Sequence, residues 1–249
     1  MIFLPQFYKM IDFLKEKGMI IHHVWVNPPQ EDDIIEVETE LGYELDKSIT
    51  DFYKECNGIQ LLWSHPKNSQ INKLPSQVNQ KFLSYGVTDS IRFDGSILIE
   101  PIIDVFLQDW YDHIYFDFTI ENKREIIFAD KTYIEPDFSK RVQPFDMYDS
   151  FNEHAFFLDG SPNPPMIMGD DYQACFTDSF LMNFADYLEF MLYFYASVQA
   201  RCEFFGKFNG HKYQPKTIAD FLKYPQIDLD KFDTEKNHLV LPFEKKFWS

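Results

Sequence analysis

The sequence predicts an α+β fold, a mainly antiparallel sheet of short strands covered by helices, on three observations. Residues 38–63 read as helix, tight turn, helix, Asn-Gly and strand. Ala155-Phe156-Phe157-Leu158, Pro165 to Met168 and Tyr172 to Phe176 are short strands in a row. Asp159-Gly160 and Gly169-Asp170-Asp171 supply the turns between them, which argues against an alternating βαβ layout. A strongly amphipathic helix, about Phe180 to Arg201, follows at once and can cover such a sheet.

In chain order, residues 5–17 carry Phe7, Met10, Ile11 and Leu14 on one helical face, and Gly18 ends the helix. Met19 to Val26 is β-branched and aromatic and predicts a short strand. Its His22 and His23 suggest a metal, but neighbours in a strand point to opposite faces and are poorly placed to share one ion. Pro28-Pro29 opens a helix from about Gln30 to Leu41, in which Glu31, Asp32, Asp33, Glu36, Glu38 and Glu40 form a dense acidic set. The set reads either as a solvated face or as a partner-facing patch. Gly42 closes this helix as a left-handed residue. Asp46 caps the next helix, which carries Ile49, Phe52, Tyr53 and Cys56 at the spacing of a buried stripe. Asn57-Gly58 stops it, and Ile59 to Trp63 is a strand.

Residues 64–87 are polar, with Pro66, Asn68, Pro75 and Asn79, and read as an insertion with one weak helix. Gly95-Ser96 precedes the strand Ile97-Leu98-Ile99, which ends at Pro101. Ile102 to Trp110 begins as a short helix, and Ile114 to Phe118 and Glu125 to Ala129 are strand candidates. Residues 131–149 hold too many turn formers for an assignment. In the long helix, capped by Asp178 or Ser179, the stripe is Leu181, Phe184, Leu188, Met191 or Leu192, and Tyr195; its interior carboxylates exclude a membrane span. Phe204-Phe205-Gly206 breaks that helix and Pro215 to Leu222 predicts a short one. Residues 204–249 are expected to dock on the domain formed by residues 1–203, because so short a segment makes a poor core alone.

With 249 residues, 45% hydrophobic and 27 Phe, the chain can bury a sizeable core and does not have a disordered composition. Its net charge of −17, from 23 basic and 40 acidic residues, repels nucleic acid and anionic membrane and favours a basic partner. Cys56, Cys175 and Cys202 form no CxxC, and no basic-then-apolar leader or long apolar run is read. The expectation is a reduced, cytoplasmic protein that neither binds nor crosses a membrane.

The positions Glu38, Leu41-Gly42, Leu45, Phe52-Tyr53 and Asn57-Gly58, with the strand to Trp63, together resemble the SUKH superfamily. This superfamily includes fungal cell-wall-synthesis regulators and bacterial immunity proteins. Asp46 stands where the family usually has Pro, which keeps a cap and loses a fixed φ. A Gly-initiated strand leading into Pro101 and a helical turn, and the closing helix after the meander, also fit the family. The resemblance spans about residues 30–200.

It implies a SUKH-like fold and a non-catalytic protein-binding role. The first expectation is an intracellular immunity protein that blocks a toxin, in that family often a nuclease, by occluding its active site. Acidic side chains would stand in for phosphates, on a surface guessed as Glu36, Glu40, Trp63 and Asp171, without cofactor or metal and without nucleic acid. Glu38, Gly42, Leu45, Phe52, Tyr53, Asn57 and Gly58 are expected to keep the fold. The alternative is a regulatory adaptor of the cell-wall-regulator type. A metal-dependent hydrolase is the remaining reading, using Asp109, Asp112 and Asp117 with His113, or Asp159, Asp170, Asp171 and Asp178, residues that turn and cap chemistry also explains. No GxSxG, HExxH, P-loop or GxGxxG is present, and the seven histidines are scattered.

Overall fold

Apolar spacing sets the first helix: α1 (Leu4–Glu16) buries Phe7, Met10, Ile11 and Leu14, the residues a 3.6-residue period puts on one side. The computed structural model describes residues 2–71, 93–110, 125–128, 131–147, 152–170, 182–205 and 217–242. The strand readings at 114–118 and 172–176, and the helix expected within 64–87 beyond residue 71, lie outside the described residues.

The strands are β1 (Ile20–Val26), β2 (Ile59–Ser64), β3 (Gly95–Ile99), β4 (Glu125–Phe128), β5 (Lys131–Ile134), β6 (Val142–Asp146), β7 (Asn152–Phe157), β8 (Met166–Asp170), β9 (Phe232–Asp233) and β10 (His238–Leu239). The further helices are α2 (Glu31–Leu41), α3 (Lys47–Glu55), α4 (Ile102–Leu107), α5 (Glu135–Ser139), α6 (Phe184–Tyr193), α7 (Val198–Phe205) and α8 (Ile218–Phe221). Six strands form one antiparallel sheet in the order β1-β2-β3-β6-β7-β8, so the fold is α+β.

Strand alternation gives the sheet two unequal faces. Ile59, Leu61, Trp63, Ile97, Ile99, Phe145, Phe156 and Met166 point into the main core beneath α1, α2, α3 and α6. Val142, Ala155, Phe157 and Ile167 point the other way, into a smaller core with Phe128 of β4 and Phe138 of α5. Residues 131–149, where turn formers obscured the pattern, hold β5, α5 and β6. Pro144 is tolerated within β6 because the ladder is bulged between Pro144 and Asp146.

The single helix expected over Phe180 to Arg201 is two helices, α6 and α7, and this corrects the sequence reading. Tyr195 and Ala196 take left-handed φ values of 55° and 57°, and Ser197 bridges to Gly95 at the start of β3. The carbonyls released by the break are taken up: Trp63 Nε1 donates to Tyr195 O at 2.8 Å, and the Ser96 amide donates to Ala196 O at 3.0 Å. Tertiary contacts stabilise a break that no Gly or Pro announces. After it, α7 carries Arg201 inward, where its guanidinium meets Asp146 at 3.0 Å with both side chains fully buried.

Residues 217–242 contribute Phe221, Ile227, Leu229 and Leu239 to the main core. Lys17 pairs with Asp230 at 2.8 Å, and the rings of His65 and Phe232 stack 4.4 Å apart.

Candidate functional site

The acidic helix α2 is held from both ends. Its apolar residues Ile34 and Val37 face inward, at a spacing that leaves Glu31, Asp32, Glu36 and Glu40 exposed around the rest of the helix. Its first turn is fixed by Asn57, whose Nδ2 donates to Asp33 Oδ2 at 2.8 Å while its Oδ1 accepts the Ile102 amide at 2.9 Å. One buried amide thus joins α2 to the start of α4. The backbone amide of Asn57 also donates to Asn27 O at 3.0 Å, one residue beyond the end of β1.

At the other end Gly42 adopts φ 77° and the carboxylate of Glu38 accepts the Leu45 amide at 2.8 Å. Asp46 then accepts from the Ser48 amide at 2.8 Å and caps α3. Phe52 and Tyr53 are buried, and the Tyr53 hydroxyl donates to Glu100 O at 3.1 Å. Gly58 has φ 96°, and a Cβ there would lie 2.7 Å from Ile99 O. Glu38, Gly42, Leu45, Tyr53, Asn57 and Gly58 thus each take part in a turn or a hydrogen bond, and Phe52 is buried in the core.

The residues guessed as a partner surface divide. Glu36 and Glu40 are exposed together on α2. Trp63 is 0% exposed and its indole lies across Gly95, where a Cβ would collide with it, so it is a core residue and not a surface anchor. Its position on the inward face of a central strand explains the difference. Asp171 lies outside the described residues. Sequence reasoning missed Ile35, 62% exposed amid the α2 carboxylates, and Trp25, 52% exposed on β1. Their signal was the mismatch of a large apolar side chain with the polar face of its element.

No Lys or Arg occurs from Gly18 to Asp46, a stretch with eight acidic residues. The flanking cations are already engaged: Lys17 with Asp230, and Lys47 with Asp51 at 2.6 Å. The side-chain charge of this stretch is therefore entirely negative at neutral pH apart from any protonated histidine.

Behind α2 a second group of carboxylates is partly withdrawn from water. Burial pushes the Glu100 carboxyl up to about 7, assisted by the nearby Asp104 and Asp146 carboxylates. Burial and the Asp33 charge raise Asp104 as well. At the opposite end of β3, away from α2, burial also pushes Asp94 up to about 6, although the Asn68 side chain and the His65 amide bond to it. Burial pushes the Cys56 thiol up to about 12, which keeps it protonated and unreactive at neutral pH.

Among the described residues no three His, Cys, Asp or Glu side chains are placed to hold a metal ion. His23 Nε2 lies 3.0 Å from Gln60 Oε1, whereas His22 packs on the Phe93 ring. Asp159 accepts the Ser161 amide in a local turn, and the segments carrying Asp112, His113, Asp117, Asp171 and Asp178 lie outside the described residues. No helix among the described residues is long and apolar enough to cross a membrane. Compared with known proteins, the chain matches no family model and no curated sequence.

Proposed function

We propose that this chain is a non-catalytic, SUKH-like binding protein of the cell interior, an immunity protein that occupies a basic toxin and blocks its active site. The observation that carries the reading is the exposed carboxylate face of α2, set in a stretch with no Lys or Arg. Such a face accelerates encounter with a cationic surface and repels anions. Where the toxin is a nuclease, Glu36 and Glu40 occupy the place of substrate phosphates, and the exposed Ile35 on the same helix offers apolar contact. The rigid seating of α2 through Asn57, Glu38 and Gly42 supports the same reading, because a preorganised surface loses little conformational freedom on binding.

The test is capture of partners from the native cell by the tagged chain, at low and then moderate salt, with the wild type and the E36K/E40K variant side by side. The proposal predicts one stoichiometric basic protein, toxic when expressed alone, whose capture weakens with salt and with the variant. Several housekeeping proteins would replace the immunity role with that of a regulatory adaptor. A partner retained equally by the variant would overturn the acidic-face mechanism.

A further inference from the structure

We propose that the outer edge of β1, Ile20–Val26, receives a basic extended segment of the partner as an added strand of the sheet. The inference rests on the binding role proposed above and specifies its geometry. β1 ends the sheet order, and among the described residues nothing pairs with its outer side. An edge strand presents unpaired N–H and C=O groups, and native proteins ordinarily protect such an edge with Lys, Pro, inward charges, bulges or extreme shortness; β1 is bulged between Ile21 and His23, and its regular ladder runs from His23 to Val26. This strand is seven residues long, Ile-Ile-His-His-Val-Trp-Val, with no Lys, no Pro and no acidic residue. Ile20, Val24 and Trp25 are all exposed, a pattern that leaves the edge open where solubility alone would select against it.

The charge around the edge chooses the occupant. Asn57 binds the Asn27 carbonyl just beyond β1 and the Asp33 carboxylate in the first turn of α2, so the acidic helix starts at the exit of the strand. The chain passes from Val26 through Pro28-Pro29 directly into α2, so a segment that runs along β1 past Val26 approaches the exposed Glu31 and Asp32, and residues 18–46 contain no Lys or Arg. A second copy of this chain brings another net charge of −17 to the same place, and its own acidic helix with it. A strand carrying Lys or Arg at alternate positions satisfies both features: backbone bonds to β1, and charge pairing with α2. Trp25, on the same side of the sheet as His23 and Gln60, gives the added strand a broad apolar surface to pack against.

The experiment uses the full chain with a synthetic peptide of alternating Lys and Val, an otherwise identical peptide with Glu for Lys, and the Lys peptide N-methylated at its central amides. Binding is read by fluorescence anisotropy and the site by amide hydrogen exchange. The Lys peptide is expected to bind about tenfold or more tightly than the other two, to weaken with salt, and to slow exchange within 20–26. Equal binding of the methylated peptide, with exchange at 20–26 unchanged, would leave the acidic face intact and overturn the edge inference. Absence of any peptide binding at low salt would also overturn it, whatever the partner capture shows. Concentration-dependent protection of 20–26 without peptide would assign the edge to a second copy instead. Loss of Lys-peptide binding in E31K/D32K, together with methylation sensitivity in the wild type, supports the inference.

Discussion

The indole of Trp63 donates to the carbonyl of Tyr195 at 2.8 Å, joining a central strand to the break between two helices. The bond satisfies a buried carbonyl that a continuous helix would have used itself. W63F should destabilise the chain by about 1–3 kcal/mol, the cost of a buried acceptor without its donor. G95A should be at least as damaging, because its methyl meets the indole ring. Pairing G95A with W63A should cost less than the sum of those two single changes, since W63A removes the ring that the methyl strikes whereas Phe keeps one at the same place. Urea denaturation of these variants measures the coupling, and additivity would refute the contact.

Asp146 replaces backbone in the sheet: its Oδ1 accepts the Leu98 amide at 2.8 Å where β3 and β6 pair only briefly. Its Oδ2 accepts from Tyr187 Oη at 2.5 Å and from Arg201. Burial raises the Asp146 carboxyl above its usual range, with the Arg201 guanidinium the main opposing influence. R201M should lose about 3–5 kcal/mol by leaving a buried carboxylate uncompensated, and R201M/D146L should recover part of it. Denaturant midpoints check both.

The turn behind α2 predicts a different outcome for two neighbours. N57A removes the two hydrogen bonds that seat the acidic helix and should cost about 2 kcal/mol, while also slowing partner association. G58A forces a side chain into a left-handed backbone against Ile99 O and should cost about 2 kcal/mol or more. Melting and association rates measured on the same preparations separate seating from folding.

Glu100 makes stability depend on pH. Its folded carboxyl, up to about 7, holds a proton more tightly than the unfolded one, whose ordinary value is 4.5. Its contribution is therefore unfavourable to folding as pH rises from about 4.5 to about 7, and levels off above. E100Q removes that dependence. The variant should match the wild type near pH 4 and exceed it by on the order of 2 kcal/mol at pH 8, allowing for partial exposure. Asp94 acts in the same direction in both proteins, and buried neutral His154 acts against it, losing stability as pH falls; both cancel in the comparison.

Local chemistry made much of this fold readable. The α1 stripe, the Gly42 and Asp46 caps and the Asn57-Gly58 stop depend on residues close in sequence, and the structure forms them where spacing and cap chemistry place them. The break at Tyr195 and Ala196 was not readable, because Trp63, Ser96 and Gly95 supply its partners from far along the chain. Burial of Trp63 was hidden for a related reason: the strand pattern shows that neighbours face opposite sides, not which side is covered. Exposure of Glu36 and Glu40 follows from their spacing against Ile34 and Val37, whereas the edge position of β1 is a property of sheet order alone.

The most direct test is the association rate of the captured basic partner with wild type and E36K/E40K across a range of salt. Both side chains are exposed, so melting should be unchanged. The account predicts association slowed about tenfold at low salt in the variant, with a shallower salt dependence. Equal rates and equal salt slopes would contradict it and remove the acidic face of α2 from the function of this protein.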